Sequence, residues 1–185
     1  MTENIERAKK IFLDFGTSGY HMMREGVLDE YKSYNISKEK ENEWRLELIN
    51  KKLLNFNIND QSQPFSFRSL IQTHDDISTF EKYLIKVGKT STSSINGHIA
   101  LLFGQDLFST LYELTRSNIK VSREIRLECI DTCEKLLLIA KKIGLPDNYK
   151  INTIEIFEEK LTQEQYFQRQ INKFEYEIGL AKLLK

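Results

Sequence analysis

The chain has 185 residues, 40% hydrophobic and 29% charged, and its aromatic set is 11 Phe, 8 Tyr and one Trp. That apolar content supports a buried core and excludes intrinsic disorder as the description of the chain. Two Pro and eight Gly are too few turn formers for a β-sandwich, and Lys+Arg and Asp+Glu both total 27, so no net field recruits nucleic acid or anionic lipid.

Apolar residues recur at helical spacing along almost the whole chain, which predicts an all-α fold. Ile5, Ala8, Ile11, Phe12 and Phe15 form a first stripe, ended by Gly16 and Gly19. A second helix is expected from Ser18, carrying Met22, Met23, Val27, Leu28 and Tyr31 and weakened at Gly26. Asn35-Ile36-Ser37 reads as a turn with Ser37 as N-cap, followed by a helix bearing Trp44, Leu46, Ile49, Leu53 and Leu54. Residues 55–66, with their Asn, Asp, Gln, Ser and Pro64, are the best loop candidate.

Leu70 and Ile71 suggest a short helix; Asp75 or Asp76 caps the next, whose Ile77, Phe80, Tyr83, Leu84 and Val87 face the core. Residues 88–97 read as a Ser/Thr-rich loop. The apolar run 98–103 fits strand or buried helix, and helix is preferred because no partner strand is visible. Asp106 is expected to cap a helix through Leu107, Leu111 and Leu114.

The clearest segment runs from Ser122 to Ile143, with Ile125, Cys129, Cys133, Leu136, Ala140 and Ile143 as its stripe. Lys141, Lys142, Gly144 and Pro146 end it. A short element is expected near Thr153–Leu161. Thr162 and Gln165 form a capping box opening the last helix, where Phe167, Ile171, Phe174, Ile178 and Ala181 make a seam. The expected architecture is a single-domain bundle of seven or eight helices over 1–185, with a soft boundary in 55–66.

Met1-Thr2-Glu3-Asn4 lacks the basic and apolar regions of a secretory signal. The longest apolar runs are about five residues, against roughly 20 for a bilayer span. Cys129 and Cys133, at i,i+4, read as two buried thiols in the cytoplasm. The excess of Lys, Ile and Asn over Arg, Val and Ala suggests an AT-rich bacterial genome.

Several constellations bear on chemistry. Gly88-Lys89-Thr90-Ser91 looks like the end of a phosphate-binding loop, but helical sequence precedes it where a strand and a further glycine are needed. Cys133 with His98 as base is set aside because Cys133 lies on an apolar stripe, where burial raises the thiol pKa. His21 and Glu25, at i,i+4, could hold an imidazole charged and oriented. The stretch Gly16, Gly19, Tyr20, His21, Arg24, Gly26 and Tyr31 concentrates glycines with residue types common at binding hot spots.

His21, the pair His74-Asp75, and then Asp106 or Asp131 occur in an order that resembles the metal-dependent phosphohydrolases of the HD superfamily. The resemblance covers these four positions and implies a divalent cation held by imidazole and carboxylate that activates water on a phosphoester. Asp75 is equally explained as a helix cap.

The largest local basic surplus is two charges, within residues 119–150, short of the footprint of a nucleic-acid reader. The function expected is therefore a cytoplasmic protein-interaction module, a regulator, adaptor or immunity-type inhibitor, with no catalytic residue and no cofactor. Its contact surface is expected at Tyr20, His21, Arg24, Tyr31 and Trp44. The alternatives are an HD-like hydrolase using His21, His74, Asp75 and Asp131, and a structural homodimer through Phe167, Ile171, Phe174 and Ile178.

Overall fold

The computed structural model of the chain describes residues 2–16, 18–74, 76–90, 95–147, 150–151 and 161–183, with the side chains of residues 2 and 72–74 left aside. Among the described residues there are nine helices and no strand: α1 (Thr2–Asp14), α2 (Gly19–Arg24), α3 (Leu28–Ser33), α4 (Lys38–Leu54), α5 (Gln63–His74), α6 (Ile77–Lys89), α7 (Gly97–Arg116), α8 (Arg123–Ile143) and α9 (Gln163–Leu183). The all-α class read from the periodicity is thus the observed one. No helix is long and apolar enough to cross a membrane. The element expected near Thr153–Leu161 lies outside the described residues.

Caps fall where the side-chain chemistry puts them. Ser37 Oγ accepts from Lys40 N–H at 3.3 Å, and Asn96 Oδ1 accepts from Ile99 N–H at 2.9 Å. Ser122 Oγ accepts from Ile125 N–H at 3.2 Å. At Thr162 the box is reciprocal: Gln165 N–H donates to Thr162 Oγ1 at 3.1 Å and Thr162 N–H donates to Gln165 Oε1 at 2.9 Å. Asp76, not Asp75, is the N-cap of α6 and accepts from Thr79 N–H at 3.1 Å.

Three expectations are corrected. The helix expected from Ser18 to Tyr31 is two short helices, because Gly26 takes φ +73°, outside the helical region. The loop expected at 55–66 is shorter, since α5 already begins at Gln63 and holds Pro64 in its first turn, where a missing N–H costs nothing. Asp106 caps no helix: 98–103 and 107–114 belong to one continuous helix, α7, with Asp106 in its interior. From Gly97 to Leu111 none of its residues is exposed, because the helix is the central element, packing on α8, α5, α6 and α9.

The buried side chains form two cores. The larger joins α5–α9, with Phe67, Phe80, Tyr83, Leu84, Phe103, Cys133, Leu136 and Phe174 among its members. Phe67 and Tyr83 stack there with ring centroids 4.5 Å apart. The smaller joins Ala8, Ile11, Phe12, Met22, Tyr31 and Trp44. The change from one core to the other falls inside α4, whose Trp44 packs with α1–α3 while Leu53 packs on the larger core. Phe167, Ile171, Phe174 and Ile178 are each no more than 3% exposed, so the seam of α9 is packed within the chain.

The start of α7 and the end of α8 approach each other closely through their backbones. Gly97 N–H donates to the Gly144 carbonyl at 3.0 Å, and Gly144, at φ +70°, turns the chain out of α8. Only a residue without a Cβ fits at position 97.

Candidate functional site

The residues expected to form a contact surface divide into two groups. Ser18 caps α2 and brings Tyr20 to the surface, 64% exposed, with its ring centroid 5.8 Å from that of His21. His21 and Arg24 line a cleft of about 410 Å³ together with Asp14, Lys52, Phe65 and Ser66. The expected pairing of His21 with Glu25 is not formed. Helix α2 ends at Arg24, so Glu25 is its C-cap and its carboxylate turns to Arg24 Nε at 2.8 Å.

Tyr31 and Trp44 are not surface anchors. They are 8% and 3% exposed, with ring centroids 5.9 and 5.8 Å from that of Phe12. The Tyr31 hydroxyl donates to Glu41 at 2.5 Å, and burial, with that carboxylate, pushes its pKa far up. Residue type alone points both to the surface, yet each is needed to close a small core made of short helices.

The four residues of the hydrolase alternative are not brought together by what is described. His21 is on α2 and Asp131 on α8, lining separate clefts. The His74 side chain and Asp75 lie outside the described residues. Among the described residues, no three His, Cys, Asp or Glu side chains gather as metal ligands would.

A polar cleft between α5, α7 and α9 was not anticipated. It encloses about 480 Å³ and is lined by Phe65, Arg68, Gln105, Asp106, Gln170 and Lys173, among others. Asp106 is 6% exposed, and Tyr83 Oη donates to its Oδ2 at 3.4 Å. Arg68 Nε lies 3.6 Å from Oδ1. Both contacts are long, so they offset only part of the cost of burying the carboxylate. Burial pushes Asp106 up to about 7, against the opposing pull of Arg68 and Tyr83. Gln105 Nε2 donates to Gln170 Oε1 at 3.3 Å and ties α7 to α9 beside it. The sequence does carry a signal: Asp106 sits among Phe103, Leu107 and Thr110 on a helix buried on most sides. A cap assignment hid it.

Phe65 lines both this cleft and the one containing His21 and Arg24. It stands on the ridge between them, 68% exposed, with the Arg68 guanidinium 5.3 Å from its ring centroid. A large aromatic left in water beside the Arg68 guanidinium is the type of group that anchors interfaces.

The cysteines carry no visible chemistry. Both are free and buried; the Cys133 thiol donates to the Gly104 carbonyl at 3.4 Å and that of Cys129 to the Leu107 carbonyl at 3.7 Å. Burial holds the Cys133 thiol well above its ordinary pKa. His98 is at the start of α7, edge-on to Phe167, and burial brings it down to about 4. It lies about 9 Å along the helix from Gly104, too far for a thiol–imidazole dyad. Gly88 and Lys89 are the last turn of α6, so no phosphate loop forms there. Comparison with protein families, characterised proteins and solved structures gives no match.

Proposed function

We propose that the chain is a protein-interaction module, a regulator, adaptor or inhibitor working in the cytoplasm without catalytic activity of its own. Its contact surface is the ridge of Phe65 with Tyr20, His21 and Arg24. The observation that supports this is the exposure of Phe65, 68%, on the ridge between two clefts. Burying such a ring against a partner gains about 1.5–3 kcal/mol, and the Arg68 guanidinium beside it supplies orientation. Two reduced, buried thiols accord with a reducing compartment.

The test is photo-crosslinking from a benzoylphenylalanine at position 65 of the 185-residue chain, followed by affinity measurements on the captured protein after purification. Phe65→Ser and Arg24→Ala are expected each to weaken binding about tenfold or more with the melting temperature unchanged. A captured protein that binds both variants as it binds the parent chain refutes the surface. Stoichiometric divalent metal in protein purified without chelator would refute the class and favour the hydrolytic alternative.

A further inference from the structure

A groove on another face, between α4 and α6, has a character of its own. It encloses about 690 Å³ and is lined by Leu53, Leu54 and Ile85 with Lys82, Lys86 and Lys89. Leu54 is 83% exposed and Leu53 and Ile85 are half-buried. The lysines stand at i, i+4 and i+7 on α6, one stripe about 10 Å long, or two helical turns.

Nothing acidic balances them among the described residues. No carboxylate lines the groove. The only acid of α6, Glu81, is at a sequence distance that places it off the lysine stripe. On α4, Glu43 and Glu47 are taken by Lys40 and Lys9, each at 2.6 Å. The walls are held by a cross-link: Arg45 on α4 meets Asp76, the N-cap of α6, at 2.5 Å.

We infer that this groove receives an acidic amphipathic helix of a partner protein. The apolar stripe of such a helix would cover Leu53, Leu54 and Ile85, and carboxylates at i, i+4 and i+7 would run beside Lys82, Lys86 and Lys89. A trough between two packed helices has the width and curvature for a third. A flat lipid surface reaches Leu54 but not the half-buried Leu53 and Ile85, so the peptide is favoured over an anionic membrane. The inference shares the binding-module reading in kind but uses none of the residues around Phe65.

The probe is a fluorescein-labelled designed peptide of about 16 residues, with Leu at i, i+3, i+4 and i+7 and Glu flanking them. Its anisotropy is followed against the whole chain. Saturable binding is expected, weakening as NaCl rises from about 0.05 to about 0.5 M. Leu54→Asp and the double variant Lys82→Glu/Lys86→Glu are expected each to weaken it about tenfold or more, with unchanged circular dichroism because the sites are at the surface. A peptide with Lys in place of Glu should bind the double variant and not the parent chain. Phe65→Ser should leave the affinity unchanged, which separates failure of this groove from failure of the Phe65 ridge. No saturable binding, equal binding of a scrambled peptide, or indifference to the groove variants would overturn the inference. So would retention on phosphatidylcholine–phosphatidylserine vesicles without peptide binding.

Discussion

Replacing Gly97 by Ala tests the packing of the two central helices. A methyl group at this position would lie 2.2 Å from the Gly144 carbonyl oxygen and 2.9 Å from that of Ala140. Ordinary contact needs at least 3.4 Å, so α7 and the end of α8 must part. Overpacking of this kind costs about 1–3 kcal/mol. Loss of the Gly97 N–H to Gly144 bond adds about 1 kcal/mol. The reduced freedom of alanine in the unfolded chain returns about 0.4–1 kcal/mol. The net is a loss of about 2 kcal/mol, or roughly 4–8 °C in Tm for a chain of this size. Urea and thermal melts followed by ellipticity measure it. Gly179→Ala is the control, because a Cβ there meets nothing within 4 Å; inside α9, four residues before its end, it should raise stability by up to about 1 kcal/mol. If Gly97→Ala melts at or above the parent chain while the control behaves as expected, the close approach of α7 and α8 is refuted.

Three further outcomes are expected. Asp106, raised to about 7 in the fold, keeps its proton in the folded chain over a range where the unfolded chain loses it. Its contribution is full below about pH 4 and is lost as pH rises through about 7, so Asp106→Asn should gain on the order of 1–3 kcal/mol at about pH 8 and little at about pH 4, read from urea melts. Asp76→Ala removes the α6 cap and leaves Arg45 without its counter-charge, its Nε already lacking a partner; a loss of about 2–4 kcal/mol is expected, with Asp76→Ser recovering the capping share of about 1 kcal/mol. Phe174→Glu should leave no folded monomer by ellipticity and light scattering, since it puts a charge where a fully buried ring touches Phe108; a folded monomer would return the α9 seam to an interface between copies.

Much of the fold was legible because helix ends advertise themselves. Ser37, Ser122, Thr162 with Gln165, and Gly144 are short-range signals whose partners lie within four residues, and each acts in the structure as its type implies. What was not legible depends on contacts distant in sequence. Tyr31 and Trp44 carry the same residue types whether they anchor a partner or close a core, and only the packing of α1 against α4 decides between these. Asp106 failed for a related reason: as a cap it satisfies local chemistry, and as a buried acid it answers to Tyr83 and Arg68, more than twenty residues away. The exposure of Phe65 is also beyond periodicity, since it lies at the start of α5 between the buried Pro64 and Phe67.

The division of buried side chains inside α4 has a spectroscopic consequence. Trp44 is the single indole of the chain and belongs to the smaller core. Its emission reads the docking of α1–α3 and is blind to the larger bundle, whereas far-ultraviolet ellipticity is weighted toward the long helices α7, α8 and α9. One sample thus carries two separate thermometers. Coincident curves would mean that α4, rooted in both cores, transmits unfolding as a stiff beam, and a single free energy describes the chain. Emission that shifts first would identify the N-terminal helices as a detachable cap, released while α5–α9 and the groove walls stay folded.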